Sequence, residues 1–172
     1  MSYVLISFYD DKEAINTPKI PSELVKHIVA GLNEVCKRVG ILVKDIALRK
    51  AGVTIGIDGY IGVEWKVLIS KFKESLKELQ LDFELLDVAD LYKPSDYIED
   101  VVRPFLACDP HFGRIFEGEI EMFLRGEELK ERIEQGRKNS KVLVCFGCGA
   151  VNRFTADLYL SLIHISEPTR PY

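Results

Sequence analysis

The sequence predicts an α/β domain: a largely parallel sheet flanked by helices. Short apolar, β-branched runs at 53–57, 83–88 and 141–146 have the length of buried strands. Runs at 23–39 and 64–81 carry apolar residues at helical spacing, with polar residues on the opposite face. Strand and helix alternate along the chain, as in a domain wound around parallel strands. Composition agrees: 47% apolar and 29% charged residues in a chain of 172 is the balance of a globular domain with its own core.

Taken in order, residues 3–8 form an apolar run that suits a buried strand, followed by a polar loop with Pro18 and Pro21. Ser22 is placed to cap a helix over 23–39, in which Val25, Ile28, Val29, Leu32, Val35, Cys36 and Val39 recur at helical spacing. Gly40 stands where a C-terminal cap belongs. Residues 41–50 alternate too briefly to decide between helix and strand. The β-branched run 53–57, bounded by glycines, reads as a strand, and 64–81 as a helix with Val67, Leu68, Phe72, Leu76 and Leu79 on one side. Another strand is expected at 83–88. A helix over 97–106 follows, with Asp96 and Glu99 spaced as a capping box. Pro110, Gly113 and Gly118 mark a structured loop, and short helices are expected at about 119–124 and 127–135. The last strand, 141–146, runs into Gly147-Cys148-Gly149-Ala150.

Charge narrows the function classes. With 23 basic and 27 acidic residues, the formal net charge is -4 and the pI is near 5.5. That argues against nucleic acid as a partner. Apolar runs such as Val142–Phe146 are far too short to cross a bilayer, so no membrane partner is expected. The first residues lack a basic region and a small-residue cleavage site. A cytoplasmic location with reduced thiols is therefore expected, and Cys36, on an apolar helix face, reads as core.

The most informative stretch is Thr54-Ile55-Gly56-Ile57-Asp58-Gly59-Tyr60-Ile61-Gly62. A strand that ends in a glycine turn and opens a helix presents backbone N–H groups at the positive end of the helix dipole, a natural anion site. Asp58, Gly59 and Gly62 resemble the P-loop of nucleoside and small-metabolite kinases. The resemblance implies a phosphorylated metabolite or nucleotide as ligand, with ATP and Mg²⁺ as cofactors. It fails beyond Gly62, where the kinases carry Gly-Lys-Ser/Thr and this chain carries Val63, Glu64, Trp65 and Lys66. The lysine that reaches the β- and γ-phosphates and the hydroxyl that holds Mg²⁺ are both missing. Glu64 suits the helix dipole but repels phosphate, and Lys66 sits one position late. A tight strand-to-helix turn with no ligand is the other reading.

Downstream, Asp90, Tyr92 and Lys93 resemble a segment of uridine-kinase-type proteins, which implies a catalytic role for Asp90 at the acceptor hydroxyl. A turn-forming aspartate is the alternative. The loop from Asp109 to Gly118 supplies His111, of the residue type able to switch charge near neutral pH, and Arg114, suited to clamp a phosphate or carboxylate. Equally, Phe112 and Phe116 read as anchors of a packed loop. Lys66, Arg103 and Arg114 are the candidate charge partners of the phosphate site. Cys108-x-x-His111 and Cys145-x-x-Cys148 have the ligand types and spacing of a zinc site. Cys-Phe-Gly-Cys-Gly also serves simply to place small residues at a crowded strand end.

Three segments together, 57–63, 109–114 with Phe123, and 142–150, resemble the N-terminal P-loop-kinase-like domain of mannose-6-phosphate-isomerase-related proteins. That resemblance implies a cupin-type isomerase region downstream and an accessory, binding role for this part. The rivals are an ATP-dependent nucleoside or sugar kinase and a structural or interaction module. From Leu160 the chain reads Leu-Ser-Leu-Ile-His-Ile-Ser-Glu-Pro-Thr-Arg, which resembles the translation of a sequencing-library adapter. This implies a single α/β domain over 1–159, truncated from a longer protein, with a non-native tail over 160–172 that removes His164 from consideration. A C-terminal strand is the alternative, since 160–165 has strand-like composition.

Overall fold

The computed structural model describes residues 21–60, 62–106, 113–151 and 154–162. The expected strand at 3–8 lies outside them. The chain divides into two compact units, Met1–Gly31 and Leu32–Tyr172. In the first, the described part holds one helical turn, α1 (Ser22–Val25), after Pro21, and Gly31 at φ +90° closes the unit.

The second unit is an α/β fold. Helix α2 (Leu32–Arg49) leads to β1 (Val53–Asp58), α3 (Trp65–Glu78) and β2 (Phe83–Asp87). After these come α4 (Ser95–Val102), α5 (Gly126–Asn139), β3 (Val142–Phe146) and β4 (Leu158–Ser161). Single 3₁₀ turns occupy Val88–Leu91, Arg103–Phe105 and Ile120–Phe123. The four strands are all parallel, in the order β2-β3-β1-β4.

Two helix expectations change. The helix expected over 23–39 is two separate elements, and the undecided stretch 41–50 belongs largely to α2. Gly40 therefore lies inside a helix. A Cβ there would stand 2.7 Å from Ser75 Oγ and 2.9 Å from Leu79 Cδ1, so the glycine permits close approach of α2 to α3. The hydroxyl of Ser75 donates to the Cys36 carbonyl at 3.1 Å across the same seam. The Asp96–Glu99 box is also replaced. Helix α4 starts at Ser95, which puts Asp96 inside the first turn, where it accepts from the Tyr97 N–H at 2.9 Å.

Helix α3 ends as its sequence allows. Gln80 takes φ +57°, its N–H reaches the Lys77 carbonyl, and the Leu81 N–H reaches that of Leu76, which satisfies the last carbonyls. Its apolar face, Leu68, Ile69, Phe72 and Leu76, buries against Val43 and Ala47 of α2 and Val53, Ile55, Ile57, Val142 and Val144 of the sheet. Each such side chain contributes roughly 1.5–3 kcal/mol on burial. On the other sheet face, Leu129 and Ile133 of α5 pack with Val88, Leu91, Leu143 and Cys145. All residues of β1 and β3 are buried, as expected of central parallel strands.

Strand β4 pairs with β1 from Ile55↔Leu158 to Asp58↔Ser161, so it takes in Leu160 and Ser161 of the segment that resembles an adapter. Its approach is clasped at the amino ends of the strands. Asp157 accepts from the Thr54 N–H at 2.8 Å and pairs with Lys50. Arg137 donates to Thr54 Oγ1 at 2.9 Å and to the Thr155 carbonyl at 2.7 Å. Burial pushes the Asp157 carboxyl up, but the Lys50 hydrogen bond, the Thr54 N–H and the charges of Lys50 and Arg137 hold it below the ordinary aspartate range. A carboxyl depressed in the folded state stabilises above its unfolded pKa, and that contribution disappears as pH falls through the folded value. Acid titration of stability is expected to show a limb below the usual aspartate range that Asp157→Asn removes; an unchanged acid limb in that variant would contradict the clasp.

Among the described residues, no helix is long and apolar enough to cross a membrane.

Candidate binding site at the carboxyl edge of the sheet

The strand order determines where a ligand crevice lies. From β1 the chain leaves toward β2, and from β3 it leaves the opposite way toward β4. In an open parallel sheet, adjacent strands with oppositely directed connections open a crevice at their carboxyl ends. Here that point falls between Asp58-Gly59 after β1 and Gly147-Cys148-Gly149 after β3.

Asp58 is 6% exposed, and its Oδ1 accepts the Gly149 N–H at 2.8 Å. The carbonyl of the same peptide, Cys148 O, accepts the Tyr92 hydroxyl at 3.0 Å. One peptide plane is thus gripped at both polar ends by side chains from the β1 and β2 edges. The turn needs its glycines: Gly147 has φ +129° and Gly149 φ +80°. A Cβ at Gly147 would stand 3.2 Å from Val88 Cβ, so this turn also abuts the turn after β2. Burial, followed by the Cys148 and Asp58 charges, raises the Tyr92 hydroxyl and keeps it a donor.

The glycine loop after β1 is partly filled by its own side chains. A Cβ at Gly59 would meet Val63 Cγ2 at 3.0 Å and the Trp65 ring at 3.1 Å. Trp65 in turn lies 6.0 Å from the Phe146 ring. Val63 donates its N–H to the Tyr60 carbonyl at 3.1 Å and Trp65 to the Val63 carbonyl at 2.8 Å, so two loop amides are already engaged. Gly62 differs, with nothing within 4 Å of an added Cβ. Glu64 immediately precedes α3, and the exposed Lys66 lies in its first turn.

The structure thus brings Asp58, Gly59, Gly62 and Lys66 to one strand-to-helix turn. Asp90 lies on the adjoining turn after β2, exposed, with its carbonyl accepting from Arg125. Asp87 caps that turn by accepting the Ala89 N–H at 2.8 Å. Arg103 pairs with Asp100 at 2.9 Å on the surface. Arg114 is exposed and lines an open cavity of about 630 Å³ with Pro104, Phe105, Ile115 and Glu117.

Of the cysteine pairs, Cys108 and His111 lie outside the described residues. Cys145 is buried in the apolar cluster with Leu86, Leu91 and Ala150, and burial followed by the Asp87 charge pushes its thiol up to about 12. Burial also raises Cys148, against a hydrogen bond from Tyr92 that lowers it. Among the described residues no cluster of three or more His, Cys, Asp or Glu side chains is arranged to hold a metal.

Sequence reasoning missed the grip on the Cys148–Gly149 peptide. Asp58, Tyr92 and Gly147-Cys148-Gly149 each stand out in the sequence, but as parts of three separate motifs with nothing to join them. The cluster of Lys50, Thr54, Arg137, Thr155 and Asp157, around a cavity of about 360 Å³, left no local signal because its members lie far apart in the chain.

A model of the family described as Domain of unknown function (DUF8485) matches residues 36–167, more than half of the chain. Among curated proteins none matches, and among solved structures none matches.

Proposed function

This chain belongs to the DUF8485 family, and we propose that it is a P-loop-kinase-like binding domain without kinase activity. It holds a small phosphorylated metabolite or nucleotide at the carboxyl edge of β1 and β3. The observation that carries this reading is the switch point of the sheet, where the glycine-bearing turns after adjacent β1 and β3 stand side by side, joined by the Asp58–Gly149 hydrogen bond, and the strand connections diverge. Lys66 and the open space around Gly62 supply a charge and room for a phosphoryl group. Asp58 and Glu64 oppose a bare anion, so binding is weak or proceeds with a Mg²⁺ counter-ion. Trp65 and Val63 occupy the loop beneath Gly59, which favours a monophosphate over a triphosphate. The wider setting is an accessory domain of a mannose-6-phosphate-isomerase-related protein, with the isomerase chemistry in a separate cupin-type region. A cytoplasmic location accords with the free thiols of Cys36, Cys145 and Cys148.

A thermal-shift series with inorganic phosphate, mannose 6-phosphate and ATP–Mg²⁺ tests the reading. A ligand that binds only the folded state, at a hundred times its Kd, adds about 2.7 kcal/mol of stability. A rise in Tm with a phosphorylated ligand is expected, with no ATP turnover. Turnover would replace this reading with that of a working kinase. No shift from any ligand would leave an interaction module.

A further inference from the structure

A second cluster of charged side chains lies at the amino edge of the sheet, at the opposite end of the strands from the crevice after β1 and β3. Lys50 directly after α2, Thr54 in β1, Arg137 in the last turn of α5, and Thr155 and Asp157 ahead of β4 line an open cavity of about 360 Å³. Gly52 adds no side chain to its wall, and a Cβ there would have only the Arg137 carbonyl as a neighbour, at 4.0 Å. That volume is at the small end of metabolite sites.

We propose that this cavity binds a small carboxylate that carries its own hydrogen-bond donor, a hydroxy acid or an amino acid. Arg137 carries the recognition. Its Nε donates to the hydroxyl oxygen of the buried Thr54 at 2.9 Å, and one Nη donates to the Thr155 carbonyl at 2.7 Å. Both acceptors are uncharged, and among the described residues the guanidinium has no ion-pair partner. Two N–H groups thus hold the plane in place, while the full charge and the other Nη group remain for an oxyanion. A fixed planar fork suits a carboxylate, which accepts two parallel bonds from it.

The charge balance sets what else the ligand carries. Lys50 pairs with Asp157, whose carboxylate also accepts the Thr54 N–H at 2.8 Å. Lys50 and Arg137 against Asp157 leave the cavity with a single net positive charge, which matches a carboxylate better than a phosphate dianion. The exposed Lys138 and Lys141 have no ion-pair partner among the described residues and extend the positive potential along this edge. Asp157 repels a bare anion, and a hydroxyl or ammonium group beside the ligand's carboxylate replaces that repulsion with a hydrogen bond. The carboxyl ends of α2 and α5 face this edge and also oppose an anion, so the two cations supply the attraction and binding is weak.

Mapping of amide chemical shifts by NMR on the full chain tests the proposal. Lactate, serine, acetate and inorganic phosphate are titrated at constant ionic strength, with chloride as the balancing anion. Saturable shifts are expected at Gly52, Thr54 and Thr155, with lactate or serine binding more tightly than acetate. Gly62→Asp should leave them unchanged, which separates this site from the one at the carboxyl edge. Thr155→Glu changes an exposed side chain, sets a negative charge beside the guanidinium, and is expected to weaken binding by about tenfold or more. Thr155→Gln, of similar size without the charge, is expected to retain binding, and circular dichroism checks that both variants fold. Shifts that fail to saturate, or that chloride alone produces, would overturn the proposal. So would acetate binding as tightly as both lactate and serine, shifts produced by phosphate alone, or a Thr155→Glu variant that binds as well as Thr155→Gln.

Discussion

Phe72→Ala is expected to destabilise the protein by about 3–5 kcal/mol, lowering Tm by roughly 6–20 °C for a chain of this size. The ring is 2% exposed and sits in the cluster that joins α2 and α3 to the sheet. Removing it loses the transfer free energy of the ring and opens a cavity between elements already in close contact at Gly40 and Ser75. Thermal and denaturant unfolding monitored by circular dichroism checks the value. Phe72→Leu, which keeps much of the volume, should lose considerably less. A cost below about 1 kcal/mol for the alanine variant, within the range of an ordinary surface change, would mean that α3 is not seated as described. Because α3 carries Trp65 and Lys66 at its start, loosening it should also disorder the glycine loop.

Asp58→Ala is the second large effect, expected at about 2–3 kcal/mol, because it removes a charge-assisted hydrogen bond and leaves the Gly149 N–H without its acceptor. The site is almost fully buried, so water does not readily replace the carboxylate. Asp58→Asn separates shape from charge, since the amide oxygen still accepts from Gly149 and should recover much of the loss. Amide exchange at Gly149 reads the same contact directly, with faster exchange expected in the alanine variant than in the asparagine variant. If both variants were equally and only slightly destabilised, the carboxylate would not be holding the turn after β3. Its main role would then face the crevice.

The contrast between Asp58 and Phe72 shows what the sequence made legible. The run 53–57 and the apolar spacing around Phe72 predicted a buried strand and an amphipathic helix, and both are present, the strand extending to Asp58. The α/β class with a parallel sheet followed from such local patterns, because burial imposes them residue by residue. Helix α2 escaped because Gly40 looks the same in a sequence whether it caps a helix or admits a neighbouring one. Only the Ser75 and Leu79 contacts separate the two. The partner of Asp58 escaped for a related reason. Its hydrogen bond joins residues 91 positions apart, and nothing near Asp58 signals a turn that far along the chain. The glycine loop after β1 was visible as a strand-to-helix turn. That Trp65 fills the space beneath Gly59 depends on side-chain direction, which spacing alone does not give.

Trp65 also provides the most direct measurement, because it is the chain's single tryptophan and lies against Gly59 and Phe146. Titrating inorganic phosphate, mannose 6-phosphate and ATP–Mg²⁺ while following its emission reports on the loop itself. A saturable change with a phosphorylated ligand is expected. It should be lost in Gly62→Asp, which places a negative charge beside the loop where an added Cβ meets nothing within 4 Å, with folding checked by circular dichroism. An emission spectrum unmoved by every ligand, or a change equally present in Gly62→Asp, would contradict binding at the carboxyl edge of β1 and β3.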